Sequence, residues 1–358
     1  MLMASCASLS KNLPGITPPG EDEEVRISRE FRREAKKHFR FVNYPEAERY
    51  VDRIGRRILA ATGPQPFDYR FFVVDENQLN AFAVPGGSIY VFTGLIERAK
   101  STDELAGVMG HEIVHITGRH MARSSGPDAI SVVSLLSMVL LARTASGSQA
   151  AGMVGQAVAA TRQAAYSRQL EMEADTLGAR YMAAAGYDPK GSIAFLKTLD
   201  QERALNPIDV PAYIMSHPIT QERVANAELV VRSLGSTPTR GDDHESLKKV
   251  QTIIRMSKQQ GGEAVVKEFE KLARQNPESA EHLYLLGFAQ QLGGQLAEAQ
   301  QSFEESRRIR PDHAGLQRDL GRLYGQRGDF SKSRQAFDRA LALEPNEPLT
   351  FLYLGEML

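Results

Sequence analysis

A histidine, a glutamate and a second histidine are spaced like residues on one face of a helix. The segment His111-Glu112-Ile113-Val114-His115 matches the pattern H-E-x-x-H. On a helix, residues four apart lie one turn apart on the same side. Both imidazoles can therefore bind one Zn²⁺, while Glu112 is placed to take a proton from a metal-bound water. The pattern also occurs by chance in unrelated helices, so further ligands have to be found elsewhere in the chain.

A candidate for the third ligand lies further along the chain, because a catalytic zinc has three protein ligands and keeps a fourth position for water. Glu171 and Asp175 share a helical face, so Glu171 can bind the metal while Asp175 holds a metal-bound histidine through its other ring nitrogen. The alternative is a solvated acidic face, which Ala174 and Leu177 make less favourable. His120 is a weaker candidate, because it lies one residue before the third histidine of the pattern H-E-x-x-H-x-x-G-x-x-H. Cys6 is the only cysteine, which excludes a thiolate site.

Capping signals and hydrophobic periodicity predict the elements that position these residues. Ser101 and Glu104 form a capping-box pattern at the start of a helix that runs to about His120. A second long helix is predicted from about Arg168 to Ala185. Before them, the pattern predicts two helices over residues 21–62, interrupted near Pro45, then a strand over 69–74 and a hairpin over 80–92.

The last third of the chain repeats with a period of 34 residues. The markers that recur at this spacing are the following: Pro277, Pro311 and Pro345; Leu286-Gly287, Leu320-Gly321 and Leu354-Gly355; and Phe269, Phe303 and Phe337. The period and the pattern are those of the tetratricopeptide repeat, which predicts stacked helix pairs with a concave groove. We expect positions near Tyr284, Arg318 and Arg322 to face that groove and to bind a protein partner. Two alternatives stay open: a plain helical bundle, and repeats that only dock on and stabilise the preceding domain.

Composition and charge limit the function classes. The 43 Lys and Arg residues balance 44 Asp and Glu residues, which gives a net charge of −1 and makes a nucleic-acid partner unfavourable. The apolar run 129–142 is too short for a membrane span. We expect the segment 129–160 to fold over the cleft as a lid or a membrane-surface element, or else as a core helical hairpin. The segment 1–20 reads as a tether after a signal remnant, with Cys6 either lipidated or incidental.

Taken together, the motifs of this sequence resemble those of a known family. Gly110 to His115 followed by Arg119-His120, the stretch 171–175, and Ser216-His217-Pro218 with Arg223 resemble the zinc metallopeptidases that include HtpX and the CAAX prenyl proteases. The stretch 80–95 resembles the substrate-side strand region of that family. With the repeats appended, the whole chain is similar to the soluble, periplasmic BepA type. It departs from that type in lacking the cysteines for a disulfide, and from HtpX in lacking transmembrane helices.

The resemblance implies one Zn²⁺ per chain and a role for each matching residue. His111, His115 and Glu171 are the implied zinc ligands, and Asp175 holds one of the ligands in place. Glu112 is the implied general base and acid, and His217 and Arg223 are further implied catalytic residues close to the metal. In BepA-like members the histidine can approach the zinc and gate activity, and in others it is read as an oxyanion donor. We expect an extended substrate to pair with an exposed edge strand formed by Ser88, Ile89, Tyr90 and Val91.

The resulting prediction is an α+β, mostly helical fold. A zincin-like metallopeptidase domain with a small sheet spans residues 21–245, after the tether 1–20, and an α-solenoid of tetratricopeptide repeats spans 246–358. The expected function is a zinc endopeptidase acting on misfolded or misassembled envelope proteins in the periplasm, with protein partners on the repeats, no nucleic acid and a contact with the membrane surface. Alternatives are a chaperone or scaffold with gated peptidase activity, a zinc-stabilised structural protein, and a cytoplasmic location.

Overall fold

Helices surround a small sheet in the first part of the chain. The computed structural model describes residues 19–124, 136, 168–205, 212–235, 239, 243–258 and 262–357. In chain order, the first elements are α1 (Glu21–His38), α2 (Pro45–Leu59), β1 (Arg70–Val74), β2 (Ala81–Val84), β3 (Ser88–Phe92), α3 (Thr93–Arg98), α4 (Thr102–Thr117) and α5 (His120–Ser124). The two helices before the strands and the interruption at Pro45 are as predicted, since Pro45 begins α2, a position where its missing N–H costs no hydrogen bond.

After α5, the elements in the described part of the chain are all helical. They are α6 (Arg168–Ala184), α7 (Lys190–Leu205), α8 (Ala212–Ser216), α9 (Gln221–Leu234), α10 (His244–Ser257), α11 (Gly262–Gln275), α12 (Ala280–Leu292), α13 (Leu296–Ile309), α14 (Ala314–Gln326), α15 (Phe330–Leu343) and α16 (Pro348–Met357). The mostly helical fold with one small sheet is therefore confirmed.

The order of the three strands corrects the prediction of the substrate strand. The order is β1-β3-β2, so β3 lies in the centre, parallel to β1 and antiparallel to β2. Ser88, Ile89, Tyr90 and Val91 are all buried and paired on both sides. The prediction that these four residues form an exposed edge was wrong, because a strand that is apolar without interruption is typical of a strand covered on both faces. Among the described residues, β2 is the edge next to β3.

Helix α4 is the central element of the first hydrophobic core. Its residues from Glu104 to Ile116 are all buried, so the helix is covered on every side. Half of the predicted capping box is present: the Glu104 N–H donates to Ser101 Oγ at 3.1 Å, whereas the Glu104 side chain accepts from the N–H of Lys100, one residue before the N-cap, at 2.9 Å. These bonds satisfy donors that the first turn leaves open and fix where the helix begins.

The 34-residue markers of the repeats contact one another within each helix pair. A Cβ on Gly287 would lie 2.6 Å from the ring of Phe303, and one on Gly321 would lie 2.9 Å from the ring of Phe337. Each glycine thus allows the phenylalanine of the second helix to pack against the backbone of the first. The glycines at the turns, Gly294 and Gly328, have φ angles of 77° and 78°, a conformation that glycine adopts readily.

Helix α10 joins the two hydrophobic cores. Leu247, Val250 and Ile254 pack in the core around α4, whereas Ile253 packs in the core of the repeats. The side-chain amide of Gln251 donates 2.9 Å hydrogen bonds to the carbonyls of Ile96 and Ala99, at the end of α3. The repeats are therefore anchored to the first domain by a helix that both share.

The groove of the repeats is partly filled by the first domain. Tyr284 is 2% exposed, and Arg322 donates to Glu46 of α2 at 2.8 Å. Of the three positions predicted to face an open groove, these two are used within the chain, which supports the alternative that the repeats dock on the preceding domain. Arg318, the third position, is 8% exposed and has no ion-pair partner among the described residues.

Two predictions fall outside the part of the chain that the structure describes. These are the tether with Cys6 and the lid segment 129–160, of which only Leu136 is described, buried beside β2. None of the described helices has the length and apolar character that crossing a membrane would require.

Candidate metal centre

Helices α4 and α6 bring the predicted ligands together by crossing at a pair of glycines. A Cβ on Gly110 would lie 3.1 Å from the carbonyl oxygen of Gly178, and one on Gly178 would lie 3.0 Å from the nitrogen of His111. The two backbones are therefore close at this crossing. Glu171 and Asp175 lie about two turns and one turn before Gly178 on α6. As a result they face His111 and His115 on α4.

Four buried side chains converge on one point. Ligand atoms of His111, His115, Glu171 and His217 all lie within 4.8 Å of one another. The nitrogen His111 Nε2 is 2.9 Å from His115 Nε2 and 3.5 Å from Glu171 Oε2. His115 Nε2 is 3.5 Å from Glu171 Oε1, and His217 Nδ1 is 3.4 Å from His111 Nε2. The group contains the three residues that the sequence indicated as ligands, together with His217.

These distances fit a tetrahedral metal. A tetrahedral zinc with bonds of about 2.0–2.1 Å separates its ligand atoms by about 3.4 Å. Moreover, two Nε2 atoms 2.9 Å apart repel each other unless a proton or a cation lies between them. The carboxylates of Asp175 and Glu171 outweigh the effect of burial and raise the pKa of His111 to about 10, so the surroundings favour positive charge at this point. The nitrogen and oxygen donors and the electrostatic field of the carboxylates therefore both suit a divalent cation.

Asp175 holds His111 from behind. Its Oδ1 lies 2.9 Å from His111 Nδ1, and Arg223 donates to both of its oxygens, at 2.8 Å and 2.9 Å. Burial raises the pKa of Asp175, but the hydrogen bonds from Arg223 and His111 lower it below its usual value. Asp175 is therefore an ionised acceptor, which places a proton on His111 Nδ1 and leaves Nε2 for the metal.

Arg223 lies behind the ligands rather than in the cleft. It is 1% exposed, its Nη1 is 2.8 Å from Glu171 Oε2 and 2.9 Å from the carbonyl of Pro218, and its other donors bind Asp175. Its hydrogen-bonding groups are thus engaged with the protein. This geometry corrects the expectation of a catalytic arginine: Arg223 is a positioning residue for Glu171, Asp175 and the turn that carries His217.

A second histidine pair supports His115. His120 Nδ1 lies 3.0 Å from His115 Nδ1, on the side of the ring opposite to the metal point, and His120 Nε2 lies 3.7 Å from Glu173 Oε1. His120 is fully buried and lies outside the four converging ligands. The sequence prediction that His120 is not a ligand agrees with this placement. Its contact with His115 was not predicted, because the chain bends at Arg119, whose φ is 50°, and ends the helical register on which the prediction depended.

Glu112 points into the same space and has an unsatisfied oxygen. It is 1% exposed, its Oε1 has no hydrogen-bond partner among the described residues, and that atom lies 3.5 Å from His217 Nε2. Burial raises the pKa of Glu112 above its usual value. A buried carboxylate with a raised pKa and a free oxygen beside a metal point is suited to accept and return a proton.

Helix α8 and the turn after it place His217. The His217 N–H donates to the carbonyl of Tyr213 at 2.9 Å, and the two rings lie 4.6 Å apart. Burial, together with the charges of Glu112 and Glu171, raises the pKa of Tyr213 well above its usual value, so its hydroxyl stays protonated. Sequence reasoning missed Tyr213, although its place four residues before His217 was a signal that it would share a helical face with that histidine.

With the site in view, the comparisons assign the chain to a family. Residues 45–230 match peptidase family M48, and residues 291–349 match the tetratricopeptide repeat. The chain therefore belongs to peptidase family M48, a family of metallopeptidases, and carries tetratricopeptide repeats after the peptidase domain. The resemblance stated from the sequence is confirmed.

Several named relatives are similar to this chain over more than half of its length. The beta-barrel assembly-enhancing protease of Escherichia coli is 28% identical over 239 residues, which covers 64% of this chain and 48% of that protein. A putative protease of the same name from Vibrio cholerae is 30% identical and covers 58% of this chain and 43% of its own. The mitochondrial metalloendopeptidase OMA1 of Schizosaccharomyces pombe is 28% identical over a match that covers 52% of this chain and 53% of that protein. The chain spans about half the length of the curated relatives it matches.

Proposed function

We propose that this protein is a zinc-dependent endopeptidase. The observation that carries the proposal is the convergence of two imidazoles and a carboxylate on one point, with the unsatisfied carboxylate of Glu112 beside it. Two histidines and one glutamate are a common ligand set for catalytic zinc. His111, His115 and Glu171 would hold one Zn²⁺ per chain, which supplies Lewis acidity toward a scissile carbonyl and lowers the pKa of a water.

The residues of the chain account for the remaining parts of the reaction. Glu112 accepts the proton of the attacking water at its free Oε1 and later returns it to the leaving amine. Asp175 fixes the tautomer of His111, and Arg223 fixes Asp175. Strand β2, rather than the central β3, is the edge along which an extended substrate would add as a further strand.

The placement of His217 favours a gated form of this activity. Its Nδ1 lies 3.4 Å from His111 Nε2 and 3.0 Å from Glu171 Oε1, so it takes the place at which a substrate carbonyl or water would bind. In this arrangement the metal point is surrounded by four protein ligands. Movement of the short α8 with its turn would open the fourth position. A chaperone or scaffold whose peptidase activity is gated in this way is the second candidate function.

For the whole protein, we propose a role in protein quality control in the bacterial envelope. The named relatives support this setting, since they include beta-barrel assembly-enhancing proteases. Misfolded or misassembled envelope proteins would be the substrates, in the periplasm, with Cys6 as a site of lipid attachment and 129–160 as the element at the cleft or the membrane surface. We retain a division near residue 245 between the peptidase and repeat domains, with α10 shared by both.

The test is degradation of an unfolded protein by the wild type and by Glu112→Gln. We expect the variant to lose activity by about 10²–10⁴-fold, because the general base is gone, while zinc content and folding stay unchanged. His120→Ala is a control in which the ligand set is intact. Equal degradation by Glu112→Gln would contradict the mechanism and point to a contaminating protease. Loss of zinc in Glu112→Gln would show that the glutamate is a ligand.

A further inference from the structure

A cavity lies between the peptidase domain and the repeats, away from the metal centre. It has a volume of about 110 Å³ and is lined by α2 on one side and by α10, α12 and α14 on the other, with the start of α16 at its rim. This is the volume of a few non-hydrogen atoms, enough for a carboxylate group and the atoms next to it. Its lining contains four basic and four acidic side chains, so the pairing of these charges decides what the cavity can bind.

Most of the charges at this cavity are satisfied within the protein. The pairs are Lys249 with Asp319 at 2.6 Å, Glu46 with Arg322 at 2.8 Å, Glu245 with His313 at 2.7 Å, Glu245 with Arg310, and Arg53 with Asp243 at 2.5 Å. In addition, Glu347 lies 3.6 Å from Arg49. Three of the four lining acids, Glu46, Glu245 and Glu347, therefore have a cation nearby. The fourth, Glu344, is exposed to solvent.

Arg318 differs from these residues because its guanidinium has no partner. It is 8% exposed, and its Nε is sealed from solvent without a hydrogen bond. Among the described residues, none accepts a hydrogen bond from the Arg318 side chain or places a carboxylate within 4.0 Å of it. The neighbouring Arg49 also has a buried Nε without a hydrogen bond. That atom lies 3.6 Å from Glu347 Oε1, so Arg318 is the one basic side chain among the four of this cavity that has no ion-pair partner among the described residues.

Arg318 stays charged in this position. Burial lowers its pKa, but the charges of Asp319, Glu347 and Glu344 outweigh burial and raise it. These groups act through space, and Asp319 Oδ2 is occupied by Lys249 and by the Tyr284 hydroxyl. Leaving a buried donor such as the Arg318 Nε without a hydrogen bond is costly, so an acceptor that reaches this guanidinium would be favoured.

The chain also leaves room beside this guanidinium. Gly315 lies one helical turn before Arg318 on α14, and a Cβ there would lie 3.5 Å from Arg318 Nη2 and 3.4 Å from the His313 ring. Any side chain at this position would occupy the space in front of the donors. The planar fork of a guanidinium matches a carboxylate or a phosphate through two parallel hydrogen bonds. The surrounding glutamates favour a singly charged carboxylate over a doubly charged phosphate.

We propose that this interdomain cavity binds a carboxylate of a polypeptide, with Arg318 as its anchor. The carboxylate enters along the concave side of the repeats and accepts hydrogen bonds from Arg318, with Arg49 across the cavity. It comes either from the end of a chain or from an acidic side chain. Because the cavity is walled by both domains, an occupant contacts the peptidase helix α2 and the repeats together.

The experiment is calorimetric titration of the full chain with matched peptides. The probes are acetyl-tetraalanine with a free carboxylate, the same peptide with a terminal amide, an amidated peptide with one internal Asp, and inorganic phosphate. We expect one site per chain for at least one of the two carboxylate peptides, and which of them binds identifies the source. Equal binding of the amide, stronger binding of phosphate, or no saturation by any carboxylate peptide would overturn the proposal.

Variants locate the binding at Arg318. Arg318→Met should weaken binding of the carboxylate peptide at least tenfold, and Gly315→Ala should weaken it while leaving Arg318 in place. The matched control is Arg308→Met, which removes the same charge from an exposed position of α13 and should bind as the wild type. Without peptide, the melting temperature of Arg318→Met should be equal to or above that of the wild type. A lowered melting temperature would show that Arg318 stabilises the fold, and wild-type affinity in this variant would place the ligand elsewhere; either result refutes the proposal.

Discussion

The metal centre and the domain junction both bury charged residues, but they arrange them differently. At the metal centre, Asp175 accepts three hydrogen bonds from His111 and Arg223, and the remaining lone pairs point to one place. At the junction, Lys249 and Asp319 pair with each other, and Arg318 beside them pairs with nothing among the described residues. The first arrangement concentrates charge for a metal, whereas the second distributes it over two domains.

This difference shows what each region needs in order to form. The metal centre depends on the crossing of α4 and α6 and on the turn after α8, all within the peptidase domain. The junction depends on long-range contacts such as that of Arg322 with Glu46, which are separated by most of the chain. Changes at the metal centre should therefore alter metal binding with little effect on domain docking, and changes at the junction should do the reverse.

The largest expected effect is the loss of metal in Glu171→Ala. Removing one of three protein ligands should abolish stoichiometric zinc in the purified protein, while His120→Ala should retain it, because His120 lies outside the converging atoms. Metal content by mass spectrometry and folding by circular dichroism measure the two effects. Stoichiometric zinc in a folded Glu171→Ala would contradict the ligand assignment, and so would complete loss in His120→Ala.

At the junction, the corresponding change is Lys249→Met. Lys249 and Asp319 are 7% and 0% exposed, and breaking a buried pair by removing one partner costs about 3–5 kcal/mol of unfolding free energy. The control Lys332→Met breaks a pair with Asp329 in which the lysine is 58% exposed, so a loss of less than about 1 kcal/mol is expected. Denaturant unfolding measures both. Equal losses of unfolding free energy in the two variants would mean that the buried pair contributes no more to stability than the exposed pair.

A smaller effect is expected for Asp175→Asn, which keeps the shape of the side chain behind His111. Loss of the carboxylate should weaken zinc binding by about 10–100-fold without abolishing it, because Asp175 orients a ligand and is not itself one. Competition with a chelator measures the affinity. An unchanged affinity would show that the hydrogen bond to His111 Nδ1 does not matter.

Sequence reasoning succeeded where the determinants are local. The spacing of His111 and His115, the shared face of Glu171 and Asp175, and the 34-residue repeat markers all depend on helix geometry. It failed where the determinant is a contact between distant segments. Strand β3 became central because β1 pairs on its far side, and Arg322 lost its exposure because the peptidase domain lies against the repeats. Tyr284 contacts Lys249, His313 and Asp319 instead of facing an open groove. The close approach of α4 and α6 at Gly110 and Gly178 is also a contact between distant segments. Nothing in the sequence around either glycine shows that the other one packs against it.

The smallest effect we predict is a pH dependence confined to acid solution. Burial raises the pKa of Asp319, but Lys249 and the neighbouring arginines lower it below its usual value of 3.8. A lowered folded-state pKa contributes stability that is present above the unfolded-state pKa and is lost as the pH falls through the folded-state value. In Lys249→Met, burial of Asp319 is no longer opposed by Lys249, so its pKa is higher in the variant than in the wild type. The difference in unfolding free energy between the two proteins should therefore shrink as acid protonates Asp319, first in the variant and then in the wild type, and should be constant within about 0.5 kcal/mol from pH 7 to 8. A difference that changes near neutral pH would implicate another group.

Titration of zinc into the metal-depleted full chain, with degradation of an unfolded protein measured at each step, tests the central claim most directly. We predict that activity rises in proportion to bound zinc and saturates at one zinc per chain. Glu112→Gln should bind the same single zinc with no comparable rise in activity. Activity without zinc, saturation at a different stoichiometry, or equal activity in Glu112→Gln would contradict the assignment of this site as the catalytic centre.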